Sequence, residues 1–380
     1  MVCVVVGGQF GDEGKGKILS YLCKKDDFDI VARGGVGPNA GHTVIADGKK
    51  YGIRQVPSGF PNRRSRLLIG AGVLVNPVVL LYEAEKLKKF GVRQRLGVDY
   101  RCIVIEEQHK ERDTKSKHLK EKVGTTGTGC GPANEDRVKR LGKRFEDVFK
   151  DEYDLSNLDF SPPNPNDPGD IKIYEDNFKN PDEGKLKEEL KGYCTDVSKE
   201  VNRAIDEGKD VLLEGTQGFN LSVYYGTYPF VTSKDVSASS MAADVGIGPT
   251  KVKDVIVVFK SYVSRVGGGE LEGELSREEI EVSGIWKKIS GVEVGTVTGR
   301  PRRIAEFNFE RAKKAIEING ATQIALTCID MLYPECYGKT GYDELSDDAK
   351  KYISRIENEL GVPITLVSTG PELESTIDLR

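Results

Sequence analysis

The first twenty-two residues constrain this chain most. A valine run, Val2 to Val6, breaks at Gly7-Gly8 into Gly11-Asp12-Glu13-Gly14-Lys15-Gly16-Lys17. It then gives way to the helical apolar spacing of Ile18, Leu19 and Leu22. A continuous β-branched run suits a strand buried on both faces. A glycine-rich turn between such a strand and a helix N-terminus cradles an anion. Backbone N–H groups and the helix dipole both point at it, and glycine allows close approach. Gly11-xxxx-Gly16-Lys17 nearly has P-loop spacing, but Ile18 stands where Ser or Thr would hold Mg²⁺. Asp12 inside the turn offers a substitute metal oxygen. A carboxylate and two lysines in a glycine turn have no packing purpose, so the turn reads as a phosphate site.

Further short apolar runs follow: Ile30–Ala32, Leu67–Ile69, Cys102–Ile105, Val211–Leu213, Val255–Phe259, Ile324–Leu326 and Ile364–Val367. Helical patterns alternate with them. One runs from Pro77 to Phe90, with Asn76 as cap and Gly91 as stop. Others span about Glu310 to Ile318, and Asp347 to Leu360 between Ser346 and Gly361. The expected fold is α/β: a large, mainly parallel central sheet with helices on both faces and a P-loop-like first strand-turn-helix. We expect one domain over residues 1–380. Residues 155–184, with Pro162, Pro163, Pro165, Pro168 and Pro181, read as a surface excursion without a regular element.

Composition removes other classes. With 56 basic and 60 acidic residues the formal charge is −4, unlike a nucleic-acid binder. The longest apolar run, Met1 to Val6, has six residues, against the roughly 20 of a membrane span. Seven cysteines, odd in number and without a Cys-x-x-Cys pair, read as reduced thiols of a cytoplasmic protein. Glu106-Glu-Gln-His109 contains a Glu-x-x-His pair, but no second copy exists to make a di-metal site.

A second glycine cluster, Arg33-Gly-Gly-Val-Gly-Pro-Asn39-Ala40-Gly41-His42-Thr43, follows the Ile30–Ala32 run. It should lie at the same carboxyl edge of the sheet as the first turn, where ligands bind in open α/β folds. Together the two clusters resemble adenylosuccinate synthetase, and the likeness continues along the chain. Gly124-Thr-Thr-Gly-Thr-Gly-Cys-Gly-Pro-Ala-Asn-Glu-Asp-Arg137 resembles the family's IMP phosphate loop. Glu214-Gly-Thr-Gln217-Gly and Gly226-Thr-Tyr-Pro-Phe-Val-Thr232-Ser resemble its IMP-contacting segment. Thr298-Gly-Arg300-Pro-Arg302-Arg303 resembles its aspartate loop. Thr327-Cys-Ile-Asp330 and Ser368-Thr-Gly370-Pro resemble its guanine-binding strand ends. The length is on the short side for the family, as in its compact archaeal members.

The resemblance implies GTP- and Mg²⁺-dependent ligation of L-aspartate to IMP through 6-phosphoryl-IMP, giving adenylosuccinate, GDP and phosphate. It makes Asp12 the base at purine N1 and His42 the group at O6. Lys15 holds phosphates in line, Gln217 orients the base, and Asp12 with the Gly41 carbonyl meets Mg²⁺. GTP falls to Asp12, Glu13, Gly14, Lys15, Gly16, Lys17, Gly41, His42, Thr43, Arg302, Cys328, Ile329, Asp330, Ser368, Thr369 and Gly370. IMP falls to Asp12, Lys15, Asn39, Ala40, Gly41, His42, Thr126, Arg140, Gln217, Thr232 and Arg300. Aspartate falls to Thr296, Val297, Thr298, Gly299, Arg300, Pro301 and Arg302. Arg140 aligns with an arginine that reaches the partner's IMP phosphate, which implies a homodimer.

The chain departs from the family at a few positions. Cys328 replaces the usual guanine-site lysine, leaving Asp330 to choose GTP over ATP. Thr128 replaces an arginine of the IMP loop, and Val297 and Pro301 differ in the aspartate loop. Two alternatives are a relative that adds aspartate to a guanine nucleotide and a GTP-binding regulatory protein. Such relatives often lack the Asp12 equivalent, and regulatory GTPases carry Asn-Lys-x-Asp, which is absent here.

Overall fold

A computed structural model describes residues 1–293 and 301–380 of the 380-residue chain. Its strands, in chain order, are β1 Val2–Gly7, β2 Ile30–Arg33, β3 His42–Ala46, β4 Lys49–Ile53, β5 Arg66–Ile69, β6 Leu74–Val75, β7 Leu96–Asp99, β8 Ile103–Val104, β9 Cys194–Thr195, β10 Val211–Glu214, β11 Asp254–Lys260, β12 Val263–Arg265, β13 Arg303–Ala305, β14 Gln323–Thr327, β15 Ile364–Ser368 and β16 Thr376–Asp378. Ten of them form one sheet in the order β16-β15-β14-β11-β1-β10-β2-β5-β7-β9. Every neighbouring pair in it is parallel except β15 with β16. This is the α/β architecture expected.

The valine run explains the centre. Alternate residues point to opposite faces. Cys3 and Val5 join one buried cluster with Leu19, Leu22 and Leu80, while Val2, Val4 and Val6 join another with Met241, Ile316 and Ile356. Both faces are covered by helices, so the strand carries no polar face. The helix signals hold as well. Asn76 accepts the N–H groups of Val78 (3.0 Å) and Val79 (3.1 Å), and Pro77 opens a helix ending at Lys86, followed by a 3₁₀ turn to Phe90. The helix Asp347–Leu360 begins at the Ser346 cap and ends at Gly361 in the left-handed region.

Two expectations are corrected. The Cys102–Ile105 run contributes only β8, which pairs with β6 outside the main sheet. The free edge of β7 is taken by β9, so this run pairs with β6 instead. The stretch 155–184 carries regular structure: a helix Pro168–Ile173, a π-type turn Tyr174–Phe178, and the start of a helix at Glu183. Asp167 caps the first helix through Gly169 N (2.7 Å), with Pro168 at its first position. The segment folds because it has apolar cover. Leu155, Leu158 and Phe178 are buried, Phe178 stacks on Tyr82 with ring centroids 4.5 Å apart, and Lys86 bridges Asp167 and Asp170 at 2.9 Å each. No helix among the described residues is long and apolar enough to cross a membrane.

Candidate active site

Parallel strands deliver their carboxyl ends to one edge. From one side to the other those ends are Ser368, Thr327, Lys260, Gly7, Glu214 and Arg33. The glycine turn leaves β1 at the middle of this row. Gly11 and Gly14 have φ of 96° and 79°, a region open to glycine at little cost. No side chain caps the helix Lys15–Lys25, which leaves its N-terminus for an anion.

Glu13 builds the turn from inside. Fully buried, it accepts the N–H groups of Gln9 (2.9 Å) and Gly11 (2.8 Å) and pairs with Lys15 Nζ at 2.8 Å. Lys15 also donates to the Gly11 carbonyl at 3.3 Å. Lys17 points elsewhere. Its ammonium donates to Ser368 Oγ (2.6 Å) and to the carbonyls of Gly370 (2.7 Å) and Ser375 (2.6 Å). Burial lowers its pKa to about 8. Lys17 thus pins the turn to the end of β15, and what it offers a phosphate is its backbone.

A cavity of about 380 Å³ opens beside the turn. Asp12, Asn39, Ala40, Gly41, His42, Thr126, Gln217, Thr232 and Arg302 line it, all of them candidates from the sequence. Gln217 Nε2 donates to Asn39 Oδ1 (3.0 Å), and Asn39 Nδ2 donates to Thr232 Oγ1 (3.4 Å). This chain of amides along one wall presents donors and acceptors to a planar base. The opposite loop has Gly124, Gly127 and Gly129 at positive φ, ahead of a helix Cys130–Lys139 that again has no side-chain cap. Asp113 ties that loop down through Thr125 Oγ1 (2.7 Å) and Gly129 N (2.8 Å).

Asp12 sits among cations. Ser264 Oγ donates to its Oδ2, with Lys260 Nζ at 3.3 Å and Arg302 Nε at 3.5 Å. Burial alone would raise its pKa; Lys260, Arg302 and the Ser264 hydrogen bond outweigh it and hold the carboxyl below its usual range. Its Oδ1 is buried and hydrogen-bonds to no described residue. Glu293, missed in the sequence, shares these cations. It contacts Lys260 and accepts from Arg302 Nη1 at 2.6 Å.

His42 opens β3. Its Nδ1 contacts Glu214 Oε1 and lies 3.0 Å from Ser58 Oγ. Its Nε2 is buried with no hydrogen bond to a described residue. Burial lowers the ring's pKa to about 4, against the pull of the Glu214 carboxylate. Glu214 is the clearest residue the sequence reading passed over. It opens the Glu-Gly-Thr-Gln motif, from which only Gln217 was assigned, and its place at a strand end was the available signal.

Other candidates lie outside this cavity. Thr43 belongs to the β3–β4 hairpin. Cys328, Ile329 and Asp330 follow β14, and Ser368 ends β15 with Thr369 and Gly370 after it, two adjacent strand ends on the far side of the turn. Cys328 has φ 59°, and burial holds the Asp330 carboxyl above its usual range. Arg140 ends its helix with φ 63° and does not line the cavity of its own chain. Pro301 is exposed. Thr296, Val297, Thr298, Gly299 and Arg300 lie outside the described residues. The Glu106–His109 pair is structural: His109 Nδ1 accepts the Glu106 N–H at 2.9 Å and Nε2 lies 3.1 Å from Asp136.

Known proteins share this arrangement. The family model "Adenylosuccinate synthetase" matches residues 4–335. The adenylosuccinate synthetase of Methanocaldococcus jannaschii is 55% identical over 377 residues, covering 99% of this chain and 96% of that one. That of Thermococcus onnurineus is 50% identical over 99% of this chain and 98% of its own. The structure of a fully ligated adenylosuccinate synthetase from Plasmodium falciparum superposes with a TM-score of 0.84 at 27% identity, over the whole of both chains. A cyanophage S-2L succinoaminodeoxyadenylate synthetase bound to dGMP and dATP shares the fold, with a TM-score of 0.71 at 21% identity over 100% of this chain and 95% of that one. From its motifs, its ten-stranded sheet and these relatives, the chain belongs to the adenylosuccinate synthetase family, GTP- and Mg²⁺-dependent ligases that join L-aspartate to IMP.

Proposed function

We propose that this cavity is the IMP site of the ligase and that Asp12 and His42 carry out the first half of its reaction. One observation carries the reading: an ionised carboxylate and an imidazole whose Nε2 has no partner among the described residues face one cavity, beside a glycine turn and along an amide wall suited to a purine. The purine O6 is a poor leaving group until phosphorylated. Asp12 takes the N1 proton, charge builds on O6, and His42 Nε2 hydrogen-bonds that oxygen as the γ-phosphoryl arrives. The aspartate amine then displaces phosphate at C6. The phosphates lie along the Lys15–Lys25 helix N-terminus, and Gln217, Asn39 and Thr232 align the base.

Asp12 and the Gly41 carbonyl would hold Mg²⁺. Asp12 fits: it is ionised, and its Oδ1 has no other partner among the described residues. Those residues include no group of three or more His, Cys, Asp or Glu that could hold a metal, so most oxygens would come from phosphate and water. When bound, Mg²⁺ neutralises charge on the phosphates. Asp330 reads the guanine N1 and N2 protons. Arg302, with residues 296–301, takes the aspartate carboxylates.

We also infer a homodimer in which Arg140 serves the partner's IMP phosphate. Its guanidinium has no partner among the described residues, and the neighbouring Val138 and Leu141 are 65% and 68% exposed. Seven free thiols support a cytoplasmic location, and the single continuous sheet supports one domain. The test is a product assay with IMP, aspartate, Mg²⁺ and either GTP or ATP, following the nucleoside diphosphate and adenylosuccinate. Turnover should need all four components and favour GTP. Asp12→Asn should lose about 10²- to 10⁴-fold in kcat with the fold intact. Near-normal turnover in that variant rejects the assignment.

A further inference from the structure

Arg33 ends β2 directly opposite Glu214, which ends β10 in register with it. Both side chains are completely buried. The guanidinium offers five N–H donors, yet its Nε, Nη1 and Nη2 hydrogen-bond to no described residue. Its nearest charge is Glu214 Oε1, 3.5 Å from Nη1. Buried arginines kept for architecture are usually tied by several hydrogen bonds, because desolvating the charge is costly. Arg33 has none among the described residues, so its charge acts through space, on Glu214 first and on the buried Glu83 beyond it.

Glu214 is itself fully engaged. Its Oε1 meets His42 Nδ1 and accepts from Ser58 Oγ at 2.7 Å, and its Oε2 accepts the Ser58 N–H at 2.7 Å. A carboxylate so deeply buried would take up a proton unless a cation offset its charge. An ionised carboxylate only accepts. It therefore keeps one proton of the His42 ring on Nδ1 and turns Nε2 to the cavity. The Nε2–H that meets O6 is then the second proton of an imidazolium, which the adjacent anion stabilises as the phosphate charge arrives. A protonated carboxyl could donate to Nδ1 instead, and the ring would lose its fixed tautomer.

We infer that Arg33 is a positioning residue for phosphoryl transfer: it keeps Glu214 anionic, and through Glu214 it fixes the ring orientation and tautomer of His42. This rests on the role proposed above for His42. Arg33 touches neither the cavity nor a substrate, so its removal should slow the transfer step while leaving binding nearly intact. Loss of an indirect partner of this kind costs about 10- to 100-fold.

The experiment measures kcat and KM for Arg33→Met, Arg33→Lys, Glu214→Gln and Glu214→Gln/Arg33→Met in the full-length enzyme. Long-range ¹H–¹⁵N spectra of the imidazoles in ligand-free protein accompany them. The chain has three histidines, so a His42 variant assigns its signal. Arg33→Met should lose about 10- to 100-fold in kcat, with KM for IMP nearly unchanged and the His42 proton no longer confined to Nδ1. In the Glu214→Gln background the same change should cost little more, because the charge it offsets has gone. Arg33→Lys keeps the cation and should retain most of kcat and the wild-type tautomer; it carries the test if Arg33→Met does not fold. The inference is overturned if Arg33→Met keeps wild-type kcat, if its loss is equal in both backgrounds, or if Arg33→Lys raises KM alone or leaves the ring proton on Nε2. The spectra need no turnover, so they separate a failure of this coupling from a failure of the assigned reaction.

Discussion

Glu13 and Lys15 form a dry ion pair inside the phosphate turn, their side chains 0% and 1% exposed. We predict that Glu13→Gln destabilises the free enzyme by about 3–5 kcal/mol, the usual effect of removing one partner of a buried pair. The amide is nearly isosteric with the carboxylate, so packing contributes little. The space is tight: a Cβ at Gly7 or Gly218 would lie 2.5 or 2.4 Å from a Glu13 carboxylate oxygen. What changes is charge. Lys15 is left buried beside a neutral group, and the Gln9 and Gly11 N–H groups lose a charged acceptor, each such bond being worth about 1.5–3 kcal/mol against about 1 for a neutral one. Glu13→Gln/Lys15→Met removes both charges and should return to within about 1 kcal/mol of wild type. GTP supplies a new anion to Lys15, so saturating GTP should stabilise Glu13→Gln more than it stabilises wild type. The assay is urea unfolding of the three proteins with and without GTP, at one protein concentration so that dimerisation does not intrude. Glu13→Gln unfolding within about 1 kcal/mol of wild type, or an equal GTP increment in both, would refute this account of the turn.

Three further outcomes follow. Arg140→Leu and Asp12→Asn should each be inactive, yet mixed after dissociation and reassociation they should regain roughly a quarter of wild-type turnover, because half the dimers would then carry one complete site; no recovery would place Arg140 outside the partner's site. Asp330→Asn should lower kcat/KM for GTP and raise it for XTP, whose ring presents an oxygen in place of the 2-amino group, as measured by competing the two nucleotides. His42 is buried with its pKa lowered to about 4. Its neutral form is the folded one, so its contribution is whole above the ordinary value near 6.5 and falls away as pH drops from there through about 4, by about 3 kcal/mol in all. Unfolding free energies from pH 7 to 4 should fall less steeply in His42→Asn.

The scaffold was legible because its signals are local. Val2–Val6, Asn76-Pro77 and Ser346 with Gly361 each fix an element through side-chain branching or a cap. The cavity residues were legible because glycine and charge coincide around Asp12, Asn39 and His42. Residues acting at a distance were not. Arg33 and Glu214 stand in motifs that were read, but their pairing needs β2 and β10 side by side, from parts of the chain far apart in sequence. Lys17 looked like a phosphate ligand until the end of β15 supplied three acceptors. Glu293 gave no local sign, since its partners Lys260 and Arg302 come from other elements. The 155–184 stretch misled through its prolines, although Asp167-Pro168 is itself a helix-start signal.

The placement of β1 also bears on how the molecule is made. Val4 has Leu213 on one side and Val255 on the other. As the ribosome delivers the chain, the strand that carries the nucleotide turn emerges before both flanking neighbours and waits for the second until roughly 250 further residues have been synthesised. Nucleation must begin elsewhere, and a nascent chain stalled before residue 254 would display an unpaired apolar ribbon, the kind of edge that recruits chaperones or seeds aggregation.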